Sequence, residues 1–288
     1  MLPPAITHAI EQTLQSNILS ARPVSGGDIN ESYCVQTKSE LLFLKYHRGA
    51  FAKSMFEVEA KGLAAIQQSD TIPTPTVIAN GATEHFGYLL LTYVPETRPA
   101  DNFWDRFGHQ LARMHQTTAA YYGWEQNNYI GRLAQSNRKE SDSWTSFYIE
   151  ERIRPQLAFA ERQQLTDRQL ISDMSTLISR LPELLPEEKP ALLHGDLWSG
   201  NYMVGTNGQA LLIDPAVYFG HREMDLAMTQ LFGGFPRQFY AAYQECFPLV
   251  SGWEERVPIY QLYYLLVHLN LFGVSYLPAV RTAVNRFL

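Results

Sequence analysis

Cysteine is scarce in this chain of 288 residues, which contains only Cys34 and Cys246. Two cysteines so far apart match no metal-binding spacing, so a zinc site built on cysteines is excluded. A low cysteine content is typical of proteins in the reducing cytoplasm. We therefore expect a cytoplasmic location.

Positive charge is also scarce, with 23 Lys and Arg residues against 29 Asp and Glu residues and a formal net charge of −6. No cluster of Lys and Arg stands out, so nucleic acid is not an expected partner. An acidic chain that binds an anionic substrate needs a metal ion or a few well-placed cations.

Long apolar runs are absent as well. The most apolar late stretch, Leu262 to Val274, is interrupted by His268 and Asn270 and is too short to span a bilayer. The first residues form no apolar signal segment. We expect no membrane association. The oligomeric state is open, with a monomer favoured.

The most informative segment runs from Leu192 to Asp214. Its two apolar ends read as short buried strands, and residues 205–208, Gly-Thr-Asn-Gly, predict a hairpin turn. Asp196 and Asn201 lie five positions apart, and Asp214 ends the following strand. This is the spacing of the kinase pattern H-R-D-x-x-x-x-N and of the metal-binding Asp that follows it.

Phosphoryl transfer explains these residue types. Asp196 would orient an attacking hydroxyl and accept its proton, and the oxygens of Asn201 and Asp214 suit Mg²⁺. A hairpin in which Asp196 caps a turn and Asn201 breaks a helix would explain the same residues without a function. The residues around them, His-Gly before Asp196 and Pro after Asp214, favour the functional interpretation.

Two motifs carry a family resemblance. Residues 194–201, His-Gly-Asp-Leu-Trp-Ser-Gly-Asn, and residues 214–216, Asp-Pro-Ala, resemble the fructosamine kinases, also called ketosamine kinases. Residues 220–228, Gly-His-Arg-Glu-Met-Asp-Leu-Ala-Met, extend the match. Compared with the kinase pattern, Gly195 replaces Arg and Pro215 replaces Phe. Aminoglycoside phosphotransferases and choline kinases are more distant kin.

The resemblance implies an α+β, protein-kinase-like bilobal fold. A small N-terminal lobe, residues 1–95, would contain an antiparallel sheet and bind the nucleotide. A larger helical C-terminal lobe, residues 96–288, would carry the catalytic and acceptor-binding residues.

Lys45 lies in an apolar strand segment, where an unpaired ammonium is costly. In kinases such a lysine holds the nucleotide phosphates and pairs with a Glu of the following helix. Glu57 and Glu59 are the candidates, and they point about 200° apart on a helix. Glu59 lies closer to the apolar face and is the preferred partner.

Other nucleotide contacts follow from chain order and resemblance. Gly26 and Gly27 form a glycine turn that could approach phosphates, although Asp28 beside them is hard to explain. The strand that ends at Pro95 resembles the hinge that binds adenine. The resemblance makes Leu91 the gatekeeper, and the adenine contacts would come from Thr92, Tyr93 and Val94. A plain hairpin turn and a plain buried strand remain alternatives.

The acceptor would meet a different set of residues. Trp198 follows the base closely, and its ring could form a wall beside the acceptor hydroxyl. Polar candidates for the remaining contacts are Gln135, Asn137, His221 and Glu223. Asp225 would either cap a helix or brace the backbone of the His194 loop, and bracing is favoured.

The resemblance implies ATP and Mg²⁺ as cofactors. The expected activity is phosphorylation of the sugar 3-hydroxyl of a ketoamine such as fructoselysine or ribuloselysine, in deglycation or protein repair. The acceptor would be a small-molecule or protein-bound ketoamine. Alternatives are an aminoglycoside- or choline-type phosphotransferase and a non-catalytic nucleotide-binding module.

Overall fold

The computed structural model describes residues 2–24, 30–138 and 143–288. The chain forms two compact units: Met1–Phe103 with Tyr202–Pro215, and Trp104–Asn201 with Ala216–Leu288. The division into lobes at residue 95 stays a prediction.

Regular structure covers most of the described chain. The strands are β1 (Ser20–Pro23), β2 (Glu31–Gln36), β3 (Leu41–Arg48), β4 (Val77–Ala82), β5 (Phe86–Thr92), β6 (Asn128–Ile130), β7 (Leu133–Gln135), β8 (Ala191–Leu193), β9 (Tyr202–Val204), β10 (Ala210–Leu212) and β11 (Tyr218–Gly220). The α-helices are α1 (Pro4–Leu14), α2 (Ala52–Gln68), α3 (Phe103–His115), α4 (Trp144–Phe147), α5 (Arg154–Arg162), α6 (Arg168–Leu184), α7 (Glu223–Leu231), α8 (Arg237–Cys246), α9 (Trp253–Phe272) and α10 (Leu277–Asn285).

The first unit is built on an antiparallel sheet of five strands in the order β1-β2-β3-β5-β4. Leu42 and Leu44 of β3 pack in a core with Ile6 and Ile10 of α1. Because neighbouring side chains of a strand point to opposite faces, Lys45 lies on the other face of the sheet. Helix α2 packs on that side, against β3, β4 and β5.

A hairpin from the later part of the chain belongs to the same unit. Strands β9 and β10 pair antiparallel, with Met203 opposite Leu211. The predicted turn between them is present, and Asn207 and Gly208 both adopt positive φ there, at 69° and 65°. The N–H of Leu212 donates to the carbonyl of Pro73 at 2.9 Å, which ties the hairpin to the rest of the unit.

The second unit is mainly helical and has an aromatic core. Helix α9 is buried along most of its length, and α5, α7 and α10 pack against it. Trp144, Phe147, Tyr148 and Tyr260 are fully buried in this core. The short strands β8 and β11 pair antiparallel, so the loop after β8 starts next to the strand that precedes α7.

An antiparallel sheet in the first unit and helices in the second confirm the predicted α+β class. Among the residues that the structure describes, no helix has the length and apolarity needed to cross a membrane.

Candidate functional site

Lys45 is buried and lies between two carboxylates of the first unit. Its Nζ donates to Oε1 of Glu59 at 2.9 Å and also to Oδ1 of Asp214. Burial alone would lower the pKa of Lys45, but the charges of Asp214 and Glu59 outweigh it and raise the pKa above its ordinary value. The ammonium is therefore charged, and it is held in one position.

The structure shows which of the two glutamates of α2 pairs with Lys45. Glu57 forms an exposed ion pair with Lys53, at 3.7 Å, on the outer face of the helix. Glu59, two positions further on, turns inward to Lys45. The predicted Lys45–Glu59 ion pair is therefore present.

Asp214 reaches Lys45 because of the backbone that follows β10. Its φ is +54°, in the left-handed region that non-glycine residues rarely adopt. This conformation turns the chain sharply at the end of the strand. The side chain of Asp214 remains one-third exposed, so it is accessible to a ligand as well as to Lys45.

Asp196 and Asn201 lie together in the second unit, on the loop after β8. Nδ2 of Asn201 donates to the backbone carbonyl of Asp196 at 2.8 Å and to its Oδ2 at 3.2 Å. The N–H of Trp198 also donates to the Asp196 carbonyl, at 3.2 Å. The five-residue spacing therefore closes a tight loop in which the amide nitrogen of Asn201 faces the carboxylate of Asp196. The role of Asn201 as a metal ligand, through Oδ1, stays a prediction.

Gly195 explains one departure from the kinase pattern. Its φ is +83°, and a Cβ built at this position would lie 2.1 Å from the carbonyl oxygen of Ala216. An arginine, or any other residue with a Cβ, would collide with that backbone. Glycine is therefore required by the close approach of the two loops.

The loop is held in place by a carboxylate of α7. Asp225 is fully buried and accepts the N–H of His194 at 2.7 Å and the N–H of Gly195 at 2.9 Å. This confirms that Asp225 braces the loop. His115, at the end of α3, adds a third donor, because its Nε2 lies 3.1 Å from Oδ2 of Asp225. Nδ1 of His115 in turn lies 2.8 Å from the hydroxyl of Tyr243.

Four polar residues predicted to contact the acceptor are buried among protein partners. Gln135 and Asn137 both donate to Oδ1 of Asn128, at 2.9 and 2.8 Å. Oδ1 of Asn137 accepts from Arg152 at 2.7 Å. The geometry thus gives Gln135 and Asn137 structural roles, and their contact with an acceptor stays a prediction.

Arg152 was not singled out by sequence reasoning. It is fully buried, and its guanidinium lies over the ring of Tyr218 at 3.9 Å. A charged residue at this position in a π-helical turn carries no local sequence signal, because its partners come from distant segments.

His221 and Glu223 are also buried. Glu223 forms a two-point ion pair with Arg256, at 2.9 and 2.6 Å. His221 stacks on Tyr260, and its Nε2 lies 3.7 Å from Glu188, beyond hydrogen-bond distance. Burial, together with the charges of Arg222 and Arg256, lowers the pKa of His221 to about 3. Both residues stay predicted acceptor contacts. Trp198, by contrast, is 37% exposed.

The predicted adenine segment lies at the end of β5. Leu91 is buried opposite Phe43, and Oγ1 of Thr92 accepts the N–H of Thr76 at 3.0 Å. The N–H of Tyr93 donates to the carbonyl of Leu41 at 3.3 Å. Val94 lies near Gly205, where a Cβ would be 3.5 Å from its Cγ1.

The predicted phosphate-binding turn, Gly26 and Gly27, falls outside the described residues. For the nucleotide, the structure therefore places the lysine, its glutamate and the predicted hinge segment in the first unit.

A family model described as fructosamine kinase matches residues 2–288. A probable ketoamine kinase of Enterococcus faecium is 40% identical over 267 residues, which cover 92% of this chain and 94% of the relative. A probable ketoamine kinase of Synechocystis is 39% identical over 276 residues, covering 94% and 92%.

Solved structures show the same relationship. A Thermobifida fusca protein assigned as a fructosamine-3-kinase superposes with a TM-score of 0.88 at 32% identity, with 98% of each chain covered. The aminoglycoside phosphotransferase APH(4)-Ia has a TM-score of 0.63 at 14% identity and covers 99% of each chain. At that identity the second likeness shows the fold alone, and it confirms the predicted kinase-like architecture.

Proposed function

Because this chain belongs to the fructosamine kinase family, we propose that it transfers the γ-phosphoryl group of ATP to the 3-hydroxyl of the sugar in a ketoamine. Membership makes the chain an ATP-dependent phosphotransferase. The finer assignment concerns the acceptor, such as fructoselysine or ribuloselysine, and the carbon that receives the phosphate.

The observation that carries the proposal is the contact between Asp196 and Asn201. A carboxylate accepts a hydroxyl proton efficiently only when its position relative to that hydroxyl is fixed. Here the amide of Asn201 and the brace by Asp225 fix the loop on which Asp196 lies. In the transfer, the bond from the γ-phosphorus to its bridging oxygen breaks. A bond to the acceptor oxygen forms, and Asp196 takes the proton.

The first unit supports the nucleotide half of the reaction. Lys45 would donate to the phosphates, with Glu59 holding its ammonium in place. Leu91, Thr92, Tyr93 and Val94 would line the adenine, and Gly26 and Gly27 the phosphates.

Magnesium fits the oxygen donors of this chain. Asn201 would contribute Oδ1 and Asp214 its carboxylate, both hard ligands of the kind that Mg²⁺ prefers. Among the described residues no group of three or more His, Cys, Asp or Glu side chains could hold a metal alone. Phosphate oxygens would therefore complete the coordination, and the ion would supply charge neutralisation on the transferring group.

Product chemistry links the reaction to deglycation. A ketoamine phosphorylated at C3 decomposes and frees the amine, so the same activity would serve protein repair or the salvage of sugar amines. Gln135, Asn137, His221 and Glu223 stay predicted acceptor contacts. Trp198 is the strongest candidate for direct contact, because its ring is exposed and the residue lies two positions after Asp196.

The other functions proposed from sequence have weaker support. The aminoglycoside phosphotransferases are similar in fold, which does not determine the acceptor. A non-catalytic nucleotide-binding module would need no fixed base, whereas Asp196 is braced through buried hydrogen bonds.

A coupled assay of ADP release tests the proposal. Fructoselysine, its 3-deoxy analogue, free fructose, choline and an aminoglycoside are each supplied with Mg·ATP. We expect turnover with fructoselysine, none with the 3-deoxy analogue and a much higher KM with fructose, because the amine part contributes binding energy. NMR of the product locates the phosphate. Phosphate on another carbon, or a higher kcat/KM for choline or the aminoglycoside, would refute the ketoamine-3-kinase assignment.

A further inference from the structure

A continuous set of aromatic rings lies on the second unit and begins beside the proposed base. It comprises Trp198, Phe232, His268, Phe272 and Tyr276, which we call the aromatic strip. Ring centroids are 6.1 Å apart for Trp198 and Phe232, 4.9 Å for Phe232 and His268, and 5.4 Å for His268 and Phe272. Tyr276 contacts both His268 and Phe272, at 5.1 and 6.1 Å.

Trp198, Phe232 and Phe272 are exposed, and the other two rings of the strip, His268 and Tyr276, are partly buried. Phe232 is 43% exposed and Phe272 is 51% exposed. Val274, two residues after Phe272, is exposed as well. Exposed apolar groups that cluster in this way commonly mark a binding site, since water contact with so much apolar surface is unfavourable. The strip is thus a candidate ligand surface.

The loops around the strip fix its rings before any ligand arrives. A Cβ at Gly200 would lie 2.3 Å from the indole of Trp198, so the ring packs directly over this glycine. A Cβ at Gly234, which has a φ of +98°, would lie 2.8 Å from the Cβ of Ser199. The loop that carries Phe232 and the loop that carries Trp198 therefore pack closely on each other. Their side chains lose little conformational freedom when a ligand binds.

The strip begins at the catalytic loop and follows α9 outward. Trp198 lies two residues after Asp196, and its ring reaches His268 of α9 through the ring of Phe232. Phe272 lies one helical turn beyond His268. A ligand that starts at Asp196 can thus extend along Trp198 and Phe232 toward Phe272.

His268 adds a polar feature to the strip. Its Nδ1 donates to the carbonyl of Tyr264 at 2.8 Å, and burial lowers the pKa of the ring. The imidazole is therefore neutral at pH 7, and Nε2 carries a lone pair. No hydrogen bond to Nε2 is found among the described residues, so this atom can accept one from a ligand.

We propose that the aromatic strip binds the nitrogen substituent of the acceptor and selects ketoamines whose amine part is apolar or aromatic. This inference rests on the proposed function. In a ketoamine the nitrogen is a secondary ammonium on C1, close to the reacting hydroxyl on C3. Aromatic faces attract such a cation, and Nε2 of His268 accepts from an N–H. The carbon skeleton beyond the nitrogen then lies along Phe232 and Phe272.

Two acceptors that differ only in the substituent provide the test. Fructosylglycine and fructosylphenylalanine share the sugar, the nitrogen and the carboxylate, and only the second has a ring that can reach the strip. We expect wild-type kcat/KM to be about tenfold higher for fructosylphenylalanine, because burial of part of one ring contributes a binding free energy of that size. Phe272→Ala and Phe232→Leu should each bring the ratio of the two values close to one.

Val250→Ala is the matched control, since Val250 is an exposed apolar side chain of the same unit without ring contacts to the strip. It should keep the wild-type ratio. Equal kcat/KM for both acceptors in the wild type would refute the inference and leave the proposed function intact. Fructoselysine is assayed beside them. Turnover of fructoselysine with no turnover of the other two acceptors would refute the inference alone, and no turnover of any of the three would refute both.

Analytical ultracentrifugation tests the alternative that a second copy of the chain occupies the aromatic strip. We expect Phe272→Ala to leave the sedimentation coefficient unchanged. A wild-type dimer that this substitution dissociates would show that the strip is a contact between copies, and it would overturn the inference.

Discussion

Nε2 of His115 lies 3.1 Å from Oδ2 of Asp225, although the two residues are 110 positions apart in sequence. The same carboxylate accepts the N–H groups of His194 and Gly195. One buried side chain of α7 thus joins the end of α3 to the loop that carries Asp196. An unpaired carboxylate would be costly at this depth, and three donors compensate for its burial.

Replacing this carboxylate should affect both folding and turnover. Asp225→Asn keeps the shape of the side chain but offers one oxygen to three donors, and its amide group faces at least one of them. We expect the free energy of unfolding to fall by about 1–3 kcal/mol, the cost of one unpaired buried polar group. We also expect kcat to fall while the KM for ATP changes little, as measured by urea unfolding and steady-state kinetics.

Glu183→Gln, at an exposed position of α6, is the control for loss of a negative charge. His115→Gln retains a donor to Asp225, so its kcat should lie between that of the wild type and that of His115→Phe. Wild-type kcat in Asp225→Asn would contradict a positioning role.

Substitution of the proposed base, Asp196, should separate the chemical step from nucleotide binding. Asp196→Asn can still accept a hydrogen bond from the acceptor hydroxyl, but it cannot take the proton at neutral pH. We expect kcat to fall by about 10²- to 10⁴-fold, the usual contribution of a general base. The affinity for Mg·ATP, measured by titration calorimetry, should stay within a few-fold of wild type. Turnover close to wild type would rule out Asp196 as the proton acceptor.

Substitutions of Lys45 and of the proposed metal ligand, Asp214, should differ in how their effect on ATP binding depends on magnesium. Lys45→Ala should weaken ATP binding about 10- to 100-fold with or without Mg²⁺, since charged hydrogen bonds to the phosphates are lost. Asp214→Ala should abolish turnover and weaken nucleotide binding only when Mg²⁺ is present. Titration calorimetry with and without Mg²⁺ distinguishes the two effects. If neither substitution changed the affinity for ATP, the nucleotide site would lie elsewhere.

His221 should make stability depend on pH. Its folded-state pKa is about 3, far below the value of about 6.5 in an unfolded chain. The unfolded state therefore binds a proton as the pH falls below 6.5, while the folded state resists protonation. Stability is complete above this range and declines through pH 5, by at most about 1.4 kcal/mol per pH unit from this residue.

His221→Gln should flatten that decline when unfolding by urea is followed at pH 7, 6 and 5. His8→Gln, at an exposed histidine, should leave it unchanged. Identical pH dependence in wild type and His221→Gln would contradict the assigned pKa shift.

Local sequence patterns were sufficient for part of this structure. The spacing of Asp196 and Asn201 matched the kinase pattern and so identified two residues that the structure brings into contact. Helical geometry selected Glu59 over Glu57. The hairpin turn before β10 followed from its glycine and asparagine residues. All of these depend on neighbours a few residues apart or on one helical period.

The remaining features join distant segments, and no periodicity encodes them. Lys45 and Asp214 are 169 positions apart, and each residue was predicted without its contact to the other. Gln135 and Asn137 were predicted as acceptor contacts from their polar side chains. The buried Arg152, which occupies Oδ1 of Asn137, was not foreseen. Burial of a polar residue depends on the packing of several elements, which a single sequence does not display.

The ion pair between Lys45 and Asp214 has a thermodynamic consequence for ligand order. Asp214 is a counter-ion of Lys45 and is also the proposed ligand of the metal. Nucleotide that draws Lys45 to its phosphates frees Asp214 for the cation, and a cation on Asp214 frees Lys45 for the phosphates. The two binding events are therefore expected to be linked, each strengthening the other by the same factor. Such reciprocity would disfavour uncomplexed ATP relative to its magnesium salt.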